Sequence, residues 1–380
     1  MTKYYNSIGI IVVSLMTNLS AQPKLSMPDF VKQTLNTHPF MIEQKLSVDA
    51  SKEAQKSTTG SQDWQLSASV YYDHEEPLQT SSFTSQSNDT IGTTAGLSKS
   101  IWRTGGEFGI YLTSNHLKRK FSTSSSLLGP DTFYSNQLNI SYTQPLWQNL
   151  SGLITRTPYD LAELNLKTQT AQSEEKKEGF ISTLINHYLD WYYLSEQKNI
   201  SKKRVSLANK AFTQANRKYK ANIVDKVDVL RAKDAVKTAE QQYLLARSQL
   251  EAKQAELIII SQDTSIENKA PSFNFYTTID TQKNSTHNIT SSRLLQLDQL
   301  KIDILNREFH SYNEQRKSQI NLTLTGGLLS GDEEISDASK FDQQSNSVSV
   351  DYFLPLGSTE ASAKAKQLHI EIKKAIQEKK

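Results

Sequence analysis

The sequence predicts an α+β protein with two internal repeats, built from long antiparallel α-helical hairpins and a group of β-strands. Three patterns carry this expectation. Short segments alternate apolar and polar residues, as strands with two unlike faces do. Residues 157–261 keep a helical period and contain almost no Gly or Pro. The order helix, strand, loop, strand, Pro, helix then occurs twice, and an internal repeat constrains a fold more than any single element.

Composition removes several classes of function. The chain has 380 residues, no cysteine and a formal net charge of +3. Without cysteine there are no disulfides, no thiol catalysis and no Cys-ligated zinc. A nearly balanced charge leaves no footprint for nucleic acid. The opening "MTKYYNSIGIIVVSLMTNLSAQP" has a basic Lys3, an apolar run from Ile8 to Met16 and small residues before Ala21. It reads as a secretory signal peptide over residues 1–21. No other stretch reaches the roughly 18 apolar residues of a membrane helix, whereas a membrane strand needs only about 9–11 alternating ones.

Taken in order, the first element is a helix from about Met27 to Thr58. Ser26 caps it, and His38-Pro39 should break it early because Pro lacks the backbone donor. Period two follows in "WQLSASVYY", where Trp64, Leu66, Ala68, Val70 and Tyr72 share a face. Three more strand candidates are "TTAGLSKSIW", "FGIYLTSNHL" and "QLNISYTQPLW", separated by polar loops and by the tight turn "RTGGE".

Helical period returns at Thr157. About 60 residues at 1.5 Å each would make a rod of roughly 90 Å. Beyond it Val229, Val236, Tyr243, Leu250 and Leu257 recur every seven residues, with Ala232, Ala239 and Ala246 completing a seam of small residues. Such a seam needs a partner helix, so the chain must turn back. The turn falls in "RKYKANIVDKVDVLRAKDA": Asn222 suits a left-handed cap, Ile223 and Val224 bridge, and Asp225 can cap the next helix. Asp228 lies near that helix's positive end and is either a further capping charge or a functional one.

The second copy runs from helix "SSRLLQLDQLKIDILNREFHSYNEQRK" through "QINLTLTGGL" and "SVSVDYFLPLG". Pro145 and Pro355 occupy the same strand-to-helix junction in the two copies. The expected organisation is therefore a first repeat over 22–261 (strands within 64–147, hairpin 157–261), a polar linker over 262–291, and a second repeat over 292–380. That second repeat, with strands within 319–355 and the start of a helix, looks incomplete, and its last helix should have less to pack against at Leu368, Ile370, Ile372 and Ala375.

This arrangement resembles the TolC family of outer-membrane channel proteins. The resemblance rests on the duplicated helix–strands–helix order, on "THPFMIEQ" in the first helix, and on Tyr219, Asn222, Ile223, Asp228, Val229 and Ala232 around the tip. It implies a homotrimer in the cell outer membrane, extending into the periplasm. Strands of three protomers would close one β-barrel against lipid, and the hairpins would form a periplasmic tunnel. Asn222, Ile223, Val224 and Asp225 would meet a periplasmic adaptor protein linked to an inner-membrane pump, with Asp228 at the periplasmic aperture. The implied role is a channel subunit for efflux or type I secretion, with no enzymatic activity and no cofactor.

Three departures stand out. Asn222 replaces the family's usual Gly, the second long hairpin with its tip is missing from a C-terminally truncated second repeat, and six strand candidates stand where the family template has four. Two other readings compete: a periplasmic adaptor, which also carries a helical hairpin, and a non-functional fragment of a channel. The carboxylates of "DHEEP" and "GDEE" lack the spacing of metal ligands and read as solvated loops. The seven His form no base–nucleophile or zinc pattern.

Overall fold

The computed structural model describes residues 23–81, 83–121, 129–274 and 292–379. The expected signal peptide and the later part of the expected linker lie outside these. In chain order the elements are β1 (Lys24–Ser26), α1 (Met27–Thr37), α2 (Pro39–Thr58), β2 (Gln65–Glu75), β3 (Ser87–Ile101), β4 (Gly106–Lys120), β5 (Thr132–Pro145), α3 (Thr157–Lys220), α4 (Lys226–Ser261), β6 (Ala270–Ser272), α5 (Arg293–Gln315), β7 (Gln319–Asp332), β8 (Gln343–Phe353) and α6 (Thr359–Lys379). The chain divides into two compact units, Met1–Gln44 with Lys176–His287 and Lys45–Glu175 with Asn288–Lys380.

In the first unit the hydroxyl of Ser26 accepts the backbone N–H of Asp29 at 3.3 Å and so caps α1. His38 is extended and Pro39 opens α2, which is the break that Pro requires. The core collects Leu25, Phe30, Leu184, Tyr188, Trp191, Leu250, Leu257 and Ile266. On α4 the heptad is the buried stripe: Val236, Ala246, Leu250 and Leu257 are buried, and Val229, Ala232, Ala239 and Tyr243 are half-buried. Lys253 of α4 donates to His187 Nδ1 at 2.9 Å and to Asp190 at 3.1 Å, both on α3. These partners lie almost equally far from Asn222 along the chain, which is the pairing of an antiparallel hairpin folded at that residue.

Two short strands went unseen in the sequence. β1 and β6 pair in parallel, Leu25 opposite Pro271. The Tyr188 hydroxyl lies 2.7 Å from Leu25 O and 2.9 Å from Ser272 O, and accepts the N–H of Ser272 at 2.9 Å. Burial pushes the Tyr188 phenol up, so it keeps the proton it donates. Thus the segment expected to be plain linker contains a strand tied to α3.

The second unit holds a six-stranded antiparallel sheet, ordered β2-β3-β4-β5-β7-β8. Beside it α5 and α6 pack antiparallel, with Lys301 bonded to Glu378 at 2.8 Å and Lys379 to Gln299 at 2.6 Å. The expectation that the apolar positions of α6 have less to pack against is corrected here. Ala365, Leu368, Ile372 and Ala375 are buried at helical spacing, and only Ile370 of the four named positions is exposed.

Candidate functional site

The sheet sorts its side chains by face. One face carries Leu66, Leu97, Ile110 and Ile140 across β2 to β5, and Leu324 beside Val348 across β7 and β8. The opposite face carries Ser67, Gly96, Tyr111, Asn139 and Gly327 in register, almost all small or hydroxyl- and amide-bearing. Exposure runs against the usual order. Ile91, Ile140 and Val348 are 49%, 48% and 71% exposed on the apolar face, while Gly92, Gly96 and Gly327 are buried on the polar one. A sheet in water buries its apolar face; this one presents it, as a membrane strand does to lipid.

Both edges of the sheet are open. Every residue of β2 and of β8 is exposed, and neither strand has a second neighbour. At one end of the sheet stand Trp64, Trp102 and Trp147, before β2, after β3 and after β5. Lys99 lies over the Trp64 ring at 5.4 Å and Lys317 over Trp147 at 5.5 Å. Amphipathic rings at a common level are what a membrane–water interface selects.

The same end joins the sheet to α3. Asn149 takes a left-handed conformation, and its Oδ1 accepts the N–H groups of Ile154 and Thr155 at 2.8 and 3.0 Å. Arg307 of α5 donates to Asp160 at 2.7 Å and to Leu153 O at 2.6 Å, holding the start of α3. Gln148 is held by the carbonyls of Gln315 and Lys317. Pro145 is the last, buried residue of β5, opposite Asn321. Pro355 follows β8 and precedes α6.

The hairpin tip is a helix stop built on one residue. Asn222 sits at φ 56°. The N–H of Asn222 reaches Tyr219 O at 2.9 Å and that of Ile223 reaches Lys218 O at 2.9 Å, closing the last turn of α3. Val224 is half-buried and Asp225 is extended at the N-cap of α4. The sequence assigned Asp225 a capping side chain, but its carboxylate makes no cap hydrogen bond; the Asp228 N–H instead meets the Asp225 carbonyl at 3.1 Å. Asp228 lies 3.8 Å from Arg231 at an exposed surface. Ile223 and Val227 expose 69% and 54% of their surface beside it. The aromatic run Trp191 to Tyr193 divides: Trp191 is fully buried, Tyr192 meets Phe273, and Tyr193 is exposed.

What sequence reasoning missed is the contact of the β3–β4 turn with this junction, because it depends on glycines far apart in the chain. Among the described residues no cluster of His, Asp and Glu has the geometry of a metal site, and no helix is long and apolar enough to cross a membrane.

Residues 90–260 match the family model described as outer membrane efflux protein. Among curated proteins none matches the sequence. Solved structures do share the fold. The outer membrane protein VceC of Vibrio cholerae is 9% identical with a TM-score of 0.58, covering 93% of this chain and 74% of that one. CusC is 9% identical with a TM-score of 0.60, covering 93% and 71%. The Campylobacter jejuni CmeC outer membrane channel is 13% identical with a TM-score of 0.56, covering 93% and 66%. Identities this low speak for the fold alone. Residues 90–260, nearly the whole stretch from β3 to the end of α4, thus resemble the outer membrane efflux proteins, and over 93% of its length the chain has the fold of these solved outer-membrane channels.

Proposed function

We propose that this chain is the outer-membrane subunit of a tripartite efflux assembly, acting as a homotrimer. The observation that supports it best is the inverted sheet, with an apolar face presented and a polar face turned away. In lipid every backbone N–H and C=O must be paired, so open edges are costly there. Because the six strands alternate in direction, β2 and β8 run oppositely. The β8 edge of one copy therefore meets the β2 edge of the next in antiparallel fashion, and a ring of copies closes without a free edge. The polar faces then line a water-filled lumen through which cargo leaves.

The hairpin tip supplies a second surface for this role. Asn222, Ile223, Val224 and Asp225 form an adaptor-contacting surface, where the exposed Ile223 offers apolar area and Asp225 and Asp228 offer charge. The adaptor would connect the channel to an inner-membrane pump, with Asp228 facing the periplasmic aperture.

Two measurements test the reading. Ile140→Arg places a charge on the apolar face near the middle of β5 and should cost about 2–4 kcal/mol of barrel stability near the bilayer midplane, whereas Asn139→Arg on the polar face should be tolerated. Recovery of folded protein from outer membranes reports the difference, and equal recovery of both would refute the barrel. Ala221→Cys and Asp225→Cys, in a chain with no other cysteine, should crosslink to a co-expressed adaptor. Crosslinks that fall on mid-hairpin cysteines instead would move the docking site away from the tip.

A further inference from the structure

We infer that the β3–β4 hairpin is a built-in widening of the barrel wall, so that three copies of the six-stranded sheet close a barrel of eighteen strands. The inference rests on the trimer proposed above. Without this hairpin each copy would bring β2, β5, β7 and β8, and the ring would hold twelve.

Three independent features make the hairpin part of the wall rather than an excursion from it. First, its ladders are complete: β3 pairs with β2 from Asn88 to Ser98, and β4 pairs with β5 from Glu107 to Lys118. Removing two strands keeps the alternation of direction, so the insert fits between β2 and β5 with no change of parity. Second, both faces of the insert continue the pattern of their neighbours. On the polar face the Tyr71 ring lies flat over Gly92 and its hydroxyl donates to Asn115 at 3.0 Å, while the Tyr111 ring covers Gly96 and Gly109. A Cβ on any of these glycines would run into a tyrosine ring. Aromatic side chains laid across glycines fix register between strands and keep bulk out of the lumen.

Third, the turn of the insert is clasped to the start of α3. Gly105, at φ 73°, and Gly152, at φ 68°, approach so closely that a Cβ on Gly152 would overlap the carbonyl of Trp102. Asn149 donates to Gly105 O at 3.3 Å and Gln144 to Thr104 O at 2.9 Å. The Trp102 indole donates to Ser61 at 3.1 Å and its ring meets Tyr159 at 5.0 Å. A hairpin that merely decorated the wall would need no such anchor at the point where strand becomes helix.

Width follows from strand spacing. At about 4.8 Å between strands and a tilt of about 40°, eighteen strands give a backbone diameter of about 36 Å, and twelve give about 24 Å. Barrels of about 16–18 strands leave an aqueous channel rather than a plugged interior.

The test combines a copy count with a width. Ser69→Cys on β2 is paired in turn with Ser345→Cys, Ser347→Cys and Ser349→Cys on β8, to scan the register between copies. Under oxidation in native membranes one pairing should give a covalent ring with the mass of three chains. Electron-microscopy projections of the same assembly down its axis should show a barrel of about 36 Å, narrowing by about a third when residues 87–120 are deleted. Three-chain crosslinks with a ring of about 24 Å in the full chain would place the hairpin outside the wall and overturn the inference while leaving the trimer standing. Covalent species that stop at two chains would overturn the eighteen-strand count through the trimer itself. If the deletion variant does not assemble, the diameter and copy number of the full chain still decide.

Discussion

The six-stranded sheet and the α3–α4 hairpin sort their side chains in opposite directions. In the hairpin the apolar heptad is hidden, with Leu250 and Leu257 buried, and the outer surface holds pairs such as Arg247–Glu251 at 2.7 Å. In the sheet Leu112 and Ile140 are presented, and Ser, Thr, Asn and Gly are turned away. Strand and helix geometry alone explain neither choice, since both periods accept apolar residues on either side. The difference reflects the solvent each region is built for. The hairpin obeys the rule of water, and the sheet presents its apolar face as a membrane strand does to lipid, which in the assembly proposed above leaves the polar face to water.

The sharpest way to break this comparison is one substitution made in both regions. Leu250→Arg forces an unpaired charge into a dry helical seam and should cost about 3–5 kcal/mol, enough to melt the hairpin. Thermal loss of the helical circular dichroism signal in detergent would record it as a large fall in Tm. The matching Arg at the sheet position Leu112 should leave that helical signal in place. If the two variants melted alike, hairpin and sheet would be one cooperative unit, and the contrast between two solvents would lose its energetic meaning.

A milder change probes the tip. Asn222 holds φ 56°, a conformation that costs most L-residues about 1–2 kcal/mol and Gly almost nothing. Asn222→Ala should therefore lower stability by about 1 kcal/mol, and Asn222→Gly should leave it unchanged or slightly raised. Protease cleavage at residues 221–225 should quicken in the alanine variant only. Equal cleavage in both would show that the tip does not depend on this backbone conformation.

How far the sequence reveals all this depends on the range of the interactions. The Ser26 cap, the His38-Pro39 break, the heptad from Val229 to Leu257 and the left-handed Asn222 are each decided within a few residues, and each is legible. Strands β2 to β5, β7 and β8 announce themselves by alternation, but their ends do not. β3 begins at Ser87 and β4 runs to Lys120, within stretches that read as polar loop, because both faces turn polar towards that end. β1 and β6 have three residues each, too few to show a period, and exist through each other and Tyr188. The clasp of Gly105 on Gly152 joins positions 47 apart in number and leaves no local trace. At the tip, the turn is readable, but the lack of a hydrogen bond from the Asp225 carboxylate is not.

The smallest expected effect sharpens the comparison by asking whether surface charge matters to helices that already have a buried stripe. Lys301 of α5 hydrogen-bonds Glu378 of α6 at 2.8 Å. That bond and the attached charge hold the Glu378 carboxyl below its ordinary range and the Lys301 ammonium above its own. For the depressed carboxylate, the contribution to stability is present above its unfolded pKa of about 4.3 and lost as pH falls through the lower folded value. For the raised lysine it is present below about 10.4 and lost as pH rises through the higher folded value. Docking of α6 on α5 should thus be constant across neutral pH and weaken only at the two extremes. Both groups lie at an exposed surface, so solvent and salt screen the pair and the change should be slight. Hydrogen exchange of α6 amides, compared at acid and neutral pH with base-catalysed exchange corrected for, should show somewhat faster opening in acid. Glu378→Gln should open α6 equally at both pH values, because it cannot form the ion pair at either. A variant that kept the full pH response would assign it to other carboxylates, and would leave the buried face of Ala365, Leu368, Ile372 and Ala375 as the whole basis of the α5–α6 contact.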